Sequence, residues 1–158
     1  MPMKAATVQE IKQELSTLKQ QELLAICQRL ARFKKENKEL LTYILFESSN
    51  ELGYVDSIKS EIDEQMDAIN QSHIYFAKKS IRKILRIVNK YSRYSSSKQT
   101  EVELLIYFCK KLKASGIPLN KNPALKKLYE NQLAKVKKLM VGLHEDIQYD
   151  LNRELENL

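Results

Sequence analysis

The sequence predicts an all-α fold, and three observations carry that expectation. Glycine and proline together fill only six of 158 positions, which permits long uninterrupted helices and argues against a turn-rich β architecture. Apolar residues recur at spacings of three and four through most of the chain, the pattern of helices with one buried face. Caps and stops such as Thr7, Asn122-Pro123 and Lys113-Ala-Ser-Gly116 punctuate that pattern where helices should begin and end. The length suits one domain, so a single all-helical domain over 1–158 is expected. Both a bundle and a short α-solenoid-like stack of about six to seven helices, with a long C-terminal helix, satisfy the pattern.

Thr7 and Glu10 form a capping-box pattern ahead of a short helix over 8–15, with Val8, Ile11 and Leu15 on one side. Thr17 is a second cap candidate. Leu23, Leu24, Ile26, Cys27, Leu30 and Phe33 then give the apolar face of a helix over 19–33. Polar residues 34–38 separate it from a helix carrying Leu40, Leu41, Ile44 and Leu45, which ends at the loop-forming Ser48, Ser49 and Asn50. Both Cys27 and Cys109 fall in apolar helical patterns and read as reduced core residues.

A fourth helix over 54–69 repeats the seam with Val55, Ile58, Ile62, Met66 and Ile69. Residues 47–70 hold seven acids against Lys59 alone, directly before residues 71–98, which hold eight bases and no acid. The formal charge of the chain is +7, so that basic stretch contains its whole excess. On a fifth helix over 73–94, Ile74, Ala77, Ile81, Ile84, Leu85, Val88 and Tyr91 share an arc about 120° wide at ~100° per residue. Lys79, Arg82, Lys83, Arg86, Lys90 and Arg93 cluster on nearly the opposite side. The short 70–72 link favours an antiparallel hairpin of the fourth and fifth helices, across which their opposite charges could pair.

Ser95, Ser96 and Ser97 end the fifth helix and cap a sixth over 98–113. Its apolar residues Val102, Leu104, Leu105, Ile106, Phe108, Cys109 and Leu112 spread almost all round, as a central helix requires. After Asn122-Pro123, a seam of Leu125, Tyr129, Leu133, Val136, Met140, Leu143, Ile147 and Leu151 predicts a helix to about residue 154 with a bend at Gly142. That helix is basic in its first half and acidic at its end, which opposes the helix dipole. Glu39-Leu-Leu-Thr-Tyr43 echoes Glu103-Leu-Leu-Ile-Tyr107 at a separation of 64, a distance that fits no standard repeat.

The runs KENKELLTYILF (35–46), SIRKILRIVNKY (80–91) and EVELLIYFCKKLK (101–113) resemble an uncharacterised family of all-helical bacterial proteins with no assigned function. That resemblance covers most of the chain and carries no assigned function with it.

Chemical signatures are sparse. His73 and His144 have no partners at metal-ligand spacing, and consecutive His144-Glu145-Asp146 point about 100° apart on a helix. Asp63 and Asp67 share a helical face but sit in an acidic run suited to a solvated surface. No catalytic residue, metal site or cofactor is therefore expected. The longest apolar runs fall short of the ~18 residues of a membrane span, and the opening residues lack an apolar signal core, so a cytoplasmic location away from membranes is expected. The expected function is a non-enzymatic helical scaffold or adaptor that binds another protein, with self-association through the C-terminal helix. The alternative is sequence-tolerant binding of nucleic acid or another polyanion through Lys79, Arg82, Lys83, Arg86, Lys90 and Arg93, with Tyr75, Tyr91 and Tyr94 interleaved.

Overall fold

The computed structural model describes all 158 residues, as eight α-helices without a strand. The chain divides into two compact units, Met1–Leu45 and Phe46–Leu158. The first contains α1 (Val8–Ser16), α2 (Gln20–Phe33) and α3 (Lys35–Thr42). Thr7 caps α1 as expected, its Oγ1 accepting from the Glu10 N–H while the Glu10 carboxylate accepts from the Thr7 N–H at 2.7 Å. Thr17 does not start α2. Its N–H closes α1 and its hydroxyl donates to the Glu14 carbonyl, while the Glu22 carboxylate accepts from the Lys19 N–H at the start of α2.

Helices α2 and α3 pack together as a hairpin, with Asn37 Nδ2 donating to the Leu30 carbonyl at 2.8 Å. Two helices of this length cannot enclose a core, and Tyr43 is the only buried residue before position 46. Leu24, Leu30 and Phe33 are exposed, Phe33 by 77 %. Cys27 is exposed too, against the expectation that it lies in the core. Its apolar spacing is genuine, but that face of α2 has too few neighbours to cover it. A π-helical turn, Tyr43–Glu47, follows α3.

The second unit contains α4 (Glu51–Asp67), α5 (Ile74–Ser95), α6 (Lys98–Ala114), α7 (Pro123–Met140) and α8 (Glu145–Glu156), with a 3₁₀ turn at Leu119–Lys121. Helix α4 starts three residues before its expected position because the Asn50 side chain accepts from the Gly53 N–H. Helix α6 is the centre: it packs against α4, α5, α7 and α8. Its Val102, Leu104, Leu105, Ile106, Phe108, Cys109 and Leu112 are all fully buried, which is what an all-round apolar surface demands. Burial pushes the Cys109 thiol up to about 12, so this cysteine stays protonated and unreactive.

The single long C-terminal helix expected from the seam is instead two helices, which brings the total to eight rather than six to seven. Helix α7 stops at Met140, where Gly142 N–H and Leu143 N–H bond back to the Leu139 and Met140 carbonyls in tight turns. His144 then caps α8, its Nδ1 accepting from the Asp146 N–H at 3.3 Å. The break removes the dipole conflict. Lys137 and Lys138 now sit in the last turn of α7, and Glu145 and Asp146 in the first turn of α8, each sign where the local dipole favours it. The seam residues Leu125, Val136, Met140 and Leu151 are buried within the unit, and Tyr129, Leu133, Leu143 and Ile147 are half-buried.

No helix is long and apolar enough to cross a membrane.

Candidate polyanion-binding face

Helix α5 is held by its apolar side. Ala77, Ile81, Ile84, Val88 and Ser92 are buried, and the Ser92 hydroxyl donates to the Val88 carbonyl at 2.8 Å. The helix packs against α4 and α6. Its antiparallel pairing with α4 is fixed where the two ends meet: Tyr54 Oη donates to the Tyr91 carbonyl at 2.9 Å, and Ser95 Oγ donates to the Glu51 carboxylate. Ser96 ends α5 in the left-handed region at φ 58°, and Ser97 caps α6 by accepting from the Thr100 N–H. Of the expected seam only Ile74 departs clearly, being exposed at the first turn.

With that side buried, the opposite side faces outward. Lys79, Arg82, Lys83, Arg86 and Arg93 are exposed, and no ion pair engages their side chains. Lys90 differs from the other five: it is half-buried, with its Nζ 4.9 Å from the centre of the Tyr91 ring.

Of the acids on α4, Asp63 and Glu51 are engaged within the unit and Asp56, Glu64 and Asp67 are exposed, and no ion pair joins any of them to those five cations. Asp63 of α4 pairs with Lys111 of α6 at 2.8 Å and accepts from Tyr107 Oη at 2.8 and 2.9 Å. Burial alone would raise the Asp63 carboxyl, but the hydrogen bonds from Lys111 and Tyr107 and the Lys111 charge hold it below the ordinary carboxylate range. The same contact with Asp63 raises Lys111 against the opposing effect of burial. Tyr107 is raised by burial first and then by its bond to Asp63. Lys59 and Lys111 both stand over the Tyr107 ring, at 5.4 and 5.2 Å. Lys59 also pairs with Glu103 at 2.5 Å, Lys135 with Glu101 at 2.7 Å and Lys110 with Glu154 at 2.7 Å. Lys59 and Asp63 of α4, Lys135 of α7 and Glu154 of α8 thus all pair with α6.

Aromatic side chains lie at both ends of the cationic row. At the N-terminal end Tyr75 and Phe76 are exposed by 68 % and 48 %. Their rings meet edge-to-face at 5.5 Å, and His73 lies 6.0 Å from Phe76. At the C-terminal end Tyr91 contacts Tyr54 and Tyr94 edge-to-face, at 6.4 and 6.0 Å, and both Tyr91 and Tyr94 are half-buried. Phe76 is the residue that sequence reasoning missed. The available signal was an aromatic ring off the buried seam.

Among the remaining candidates, Asp63 is bound into the α4–α6 contact whereas Asp67 is exposed apart from it. No three His, Cys, Asp or Glu side chains come together as a metal-holding group. No family model, no curated protein and no solved structure matches the chain.

Proposed function

We propose that this chain is a non-enzymatic helical scaffold whose second unit holds a polyanion, a nucleic-acid backbone in the first instance, on the outer face of α5. The observation that carries this reading is the row of exposed cations Lys79, Arg82, Lys83, Arg86 and Arg93, none of which forms an ion pair within the fold. From residue 79 to 93 the row runs about 21 Å at 1.5 Å per residue, long enough to meet several phosphates along one strand. Contacts from such cations to phosphates carry no sequence information, so binding is sequence-tolerant.

The test is the salt dependence of binding to DNA of mixed sequence. Affinity should fall steeply with salt, each neutralised phosphate contributing about −0.9 to the log–log slope on duplex. Replacing Lys79 and Arg86 by Gln should reduce the slope by up to roughly two units with helicity retained. Absence of salt-dependent binding, or identical binding by the variant, removes the proposal.

A protein-binding role has its own support in the first unit. Leu23, Leu24, Cys27, Leu41 and Leu45 line an open groove of about 710 Å³ between α2 and the far end of the hairpin. It adjoins, through Gln28 and Ala31, a corner lined by Arg32, Lys34, Lys35 and Lys38. An apolar groove with a basic end suits an amphipathic helix carrying acidic residues at one end. An environment-sensitive dye on exposed Cys27 should brighten with such a peptide and stay dark with its basic counterpart. Equal response to both would refute the match, and Cys109 is too deeply buried to take the dye.

A further inference from the structure

We infer that the ligand of α5 is single-stranded nucleic acid, with Tyr75 and Phe76 stacking its bases while Lys79, Arg82, Arg86 and Arg93 take its phosphates. This inference rests on the polyanion reading and adds to it the chemical class of the ligand. It starts from an arrangement that charge alone does not require: two adjacent aromatic rings, largely exposed, at the head of an exposed cationic row.

On the helical wheel the five exposed cations span about 100°, and Tyr75 falls inside that arc while Phe76 lies about 20° beyond its edge. A strand following the cations from Arg93 towards residue 75 therefore arrives at these rings after about 27 Å of helix. Neither ring has a structural duty in the core: Ala77 and Ile81 anchor that end of α5, and both are buried whereas Tyr75 and Phe76 are not. The edge-to-face contact of the two rings leaves ring surface open to a base. Duplex DNA keeps its bases stacked inside the helix and offers such rings nothing. A single strand offers every base face, and stacking on an aromatic ring is sequence-tolerant for that reason. A heparin-like polyanion or an acidic protein would use the cations and gain nothing from the rings.

Fluorescence anisotropy would compare a labelled oligo(dT) of about 15 nucleotides with the corresponding duplex and with heparin as competitor. For the Tyr75→Ala/Phe76→Ala variant the expected result is a loss of about tenfold or more in affinity for oligo(dT). The salt slope should not change, nor should the affinities for duplex and heparin. The Tyr75→Phe variant should bind like the wild type, because the stacking surface remains. Far-UV circular dichroism should be the same for all three proteins, both residues being exposed. The inference is overturned if the alanine variant binds oligo(dT) like the wild type, or if it weakens all three ligands equally. If the wild type binds none of the three, the polyanion reading itself falls.

Discussion

Two neighbouring helices of the same unit, α5 and α6, are both rich in charge and use it in opposite ways. On α6, Glu101, Glu103, Lys110 and Lys111 each reach a partner on α7, α4 or α8. On α5, Lys79, Arg82, Lys83, Arg86 and Arg93 reach none. The cause is position. A helix surrounded by four others has oppositely charged neighbours within reach along its middle, only Lys98 and Lys113 near its ends remaining exposed without an ion pair, whereas α5 packs against two helices and turns its cations outward. The paired charges of α6 are therefore fastenings, and the five exposed cations of α5 are not.

The contrast predicts a graded series of effects on stability. Phe108→Ala should cost about 3–5 kcal/mol in denaturant unfolding, since it empties the centre of α6. The exposed Phe76→Ala should stay within ~0.5 kcal/mol, and a comparable loss at both sites would erase the distinction. On the α5 side of the core, the Asn89 Oδ1 is buried without a hydrogen-bond partner. Asn89→Leu should accordingly raise stability, by up to about 1 kcal/mol, and a loss would show that the amide has a role the packing does not display.

Breaking a fastening of α6 should have a smaller effect. Asp63→Asn is expected to cost no more than about 1 kcal/mol at neutral pH, because the Asp63–Lys111 pair is partly exposed to water. The sign with pH follows from the shifts. Asp63 is depressed in the folded chain, so its contribution is present above the unfolded carboxyl value near ~3.9 and is lost as pH falls through the lower folded value. Lys111 is raised, so its contribution holds below ~10.4 and is lost as pH rises through the folded value. The gap between wild type and Asp63→Asn should thus be flat through neutral pH and close in acid. A gap that widens in acid would contradict the assignment.

Much of this arrangement was legible in the sequence, and the exceptions are instructive. The all-round apolar pattern of 98–113 marked the central helix because no other location satisfies it. The seam of 73–94 likewise placed Lys79, Arg82, Lys83, Arg86 and Arg93 on the outer side, because burying one face fixes the other. Whether the acids of 47–70 would reach them was not legible, since that depends on which neighbour each carboxylate meets; Asp63 meets Lys111 and Tyr107. The echo between 39–43 and 103–107 shows the same limit. Leu104 and Leu105 are fully buried, whereas Leu40 is exposed and Leu41 half-exposed. Periodicity says which side of a helix is apolar and leaves open whether anything covers it. That is also why Cys27 was expected inside. The break at 141–144 did leave a trace, the dipole conflict of an unbroken C-terminal helix, which disappears once α7 and α8 are separate.

The most direct test of the claim that α5 holds its cations for a ligand is the unfolding free energy of a Lys79→Gln/Arg82→Gln/Arg86→Gln variant, compared with wild type from low to high salt. If these charges face only one another, the variant should be at least as stable as wild type at low salt, with the difference vanishing as salt screens their repulsion. A variant destabilised by more than about 1 kcal/mol at low salt, beyond what a surface charge contributes, would mean that these cations are fastened within the fold, and would contradict the account.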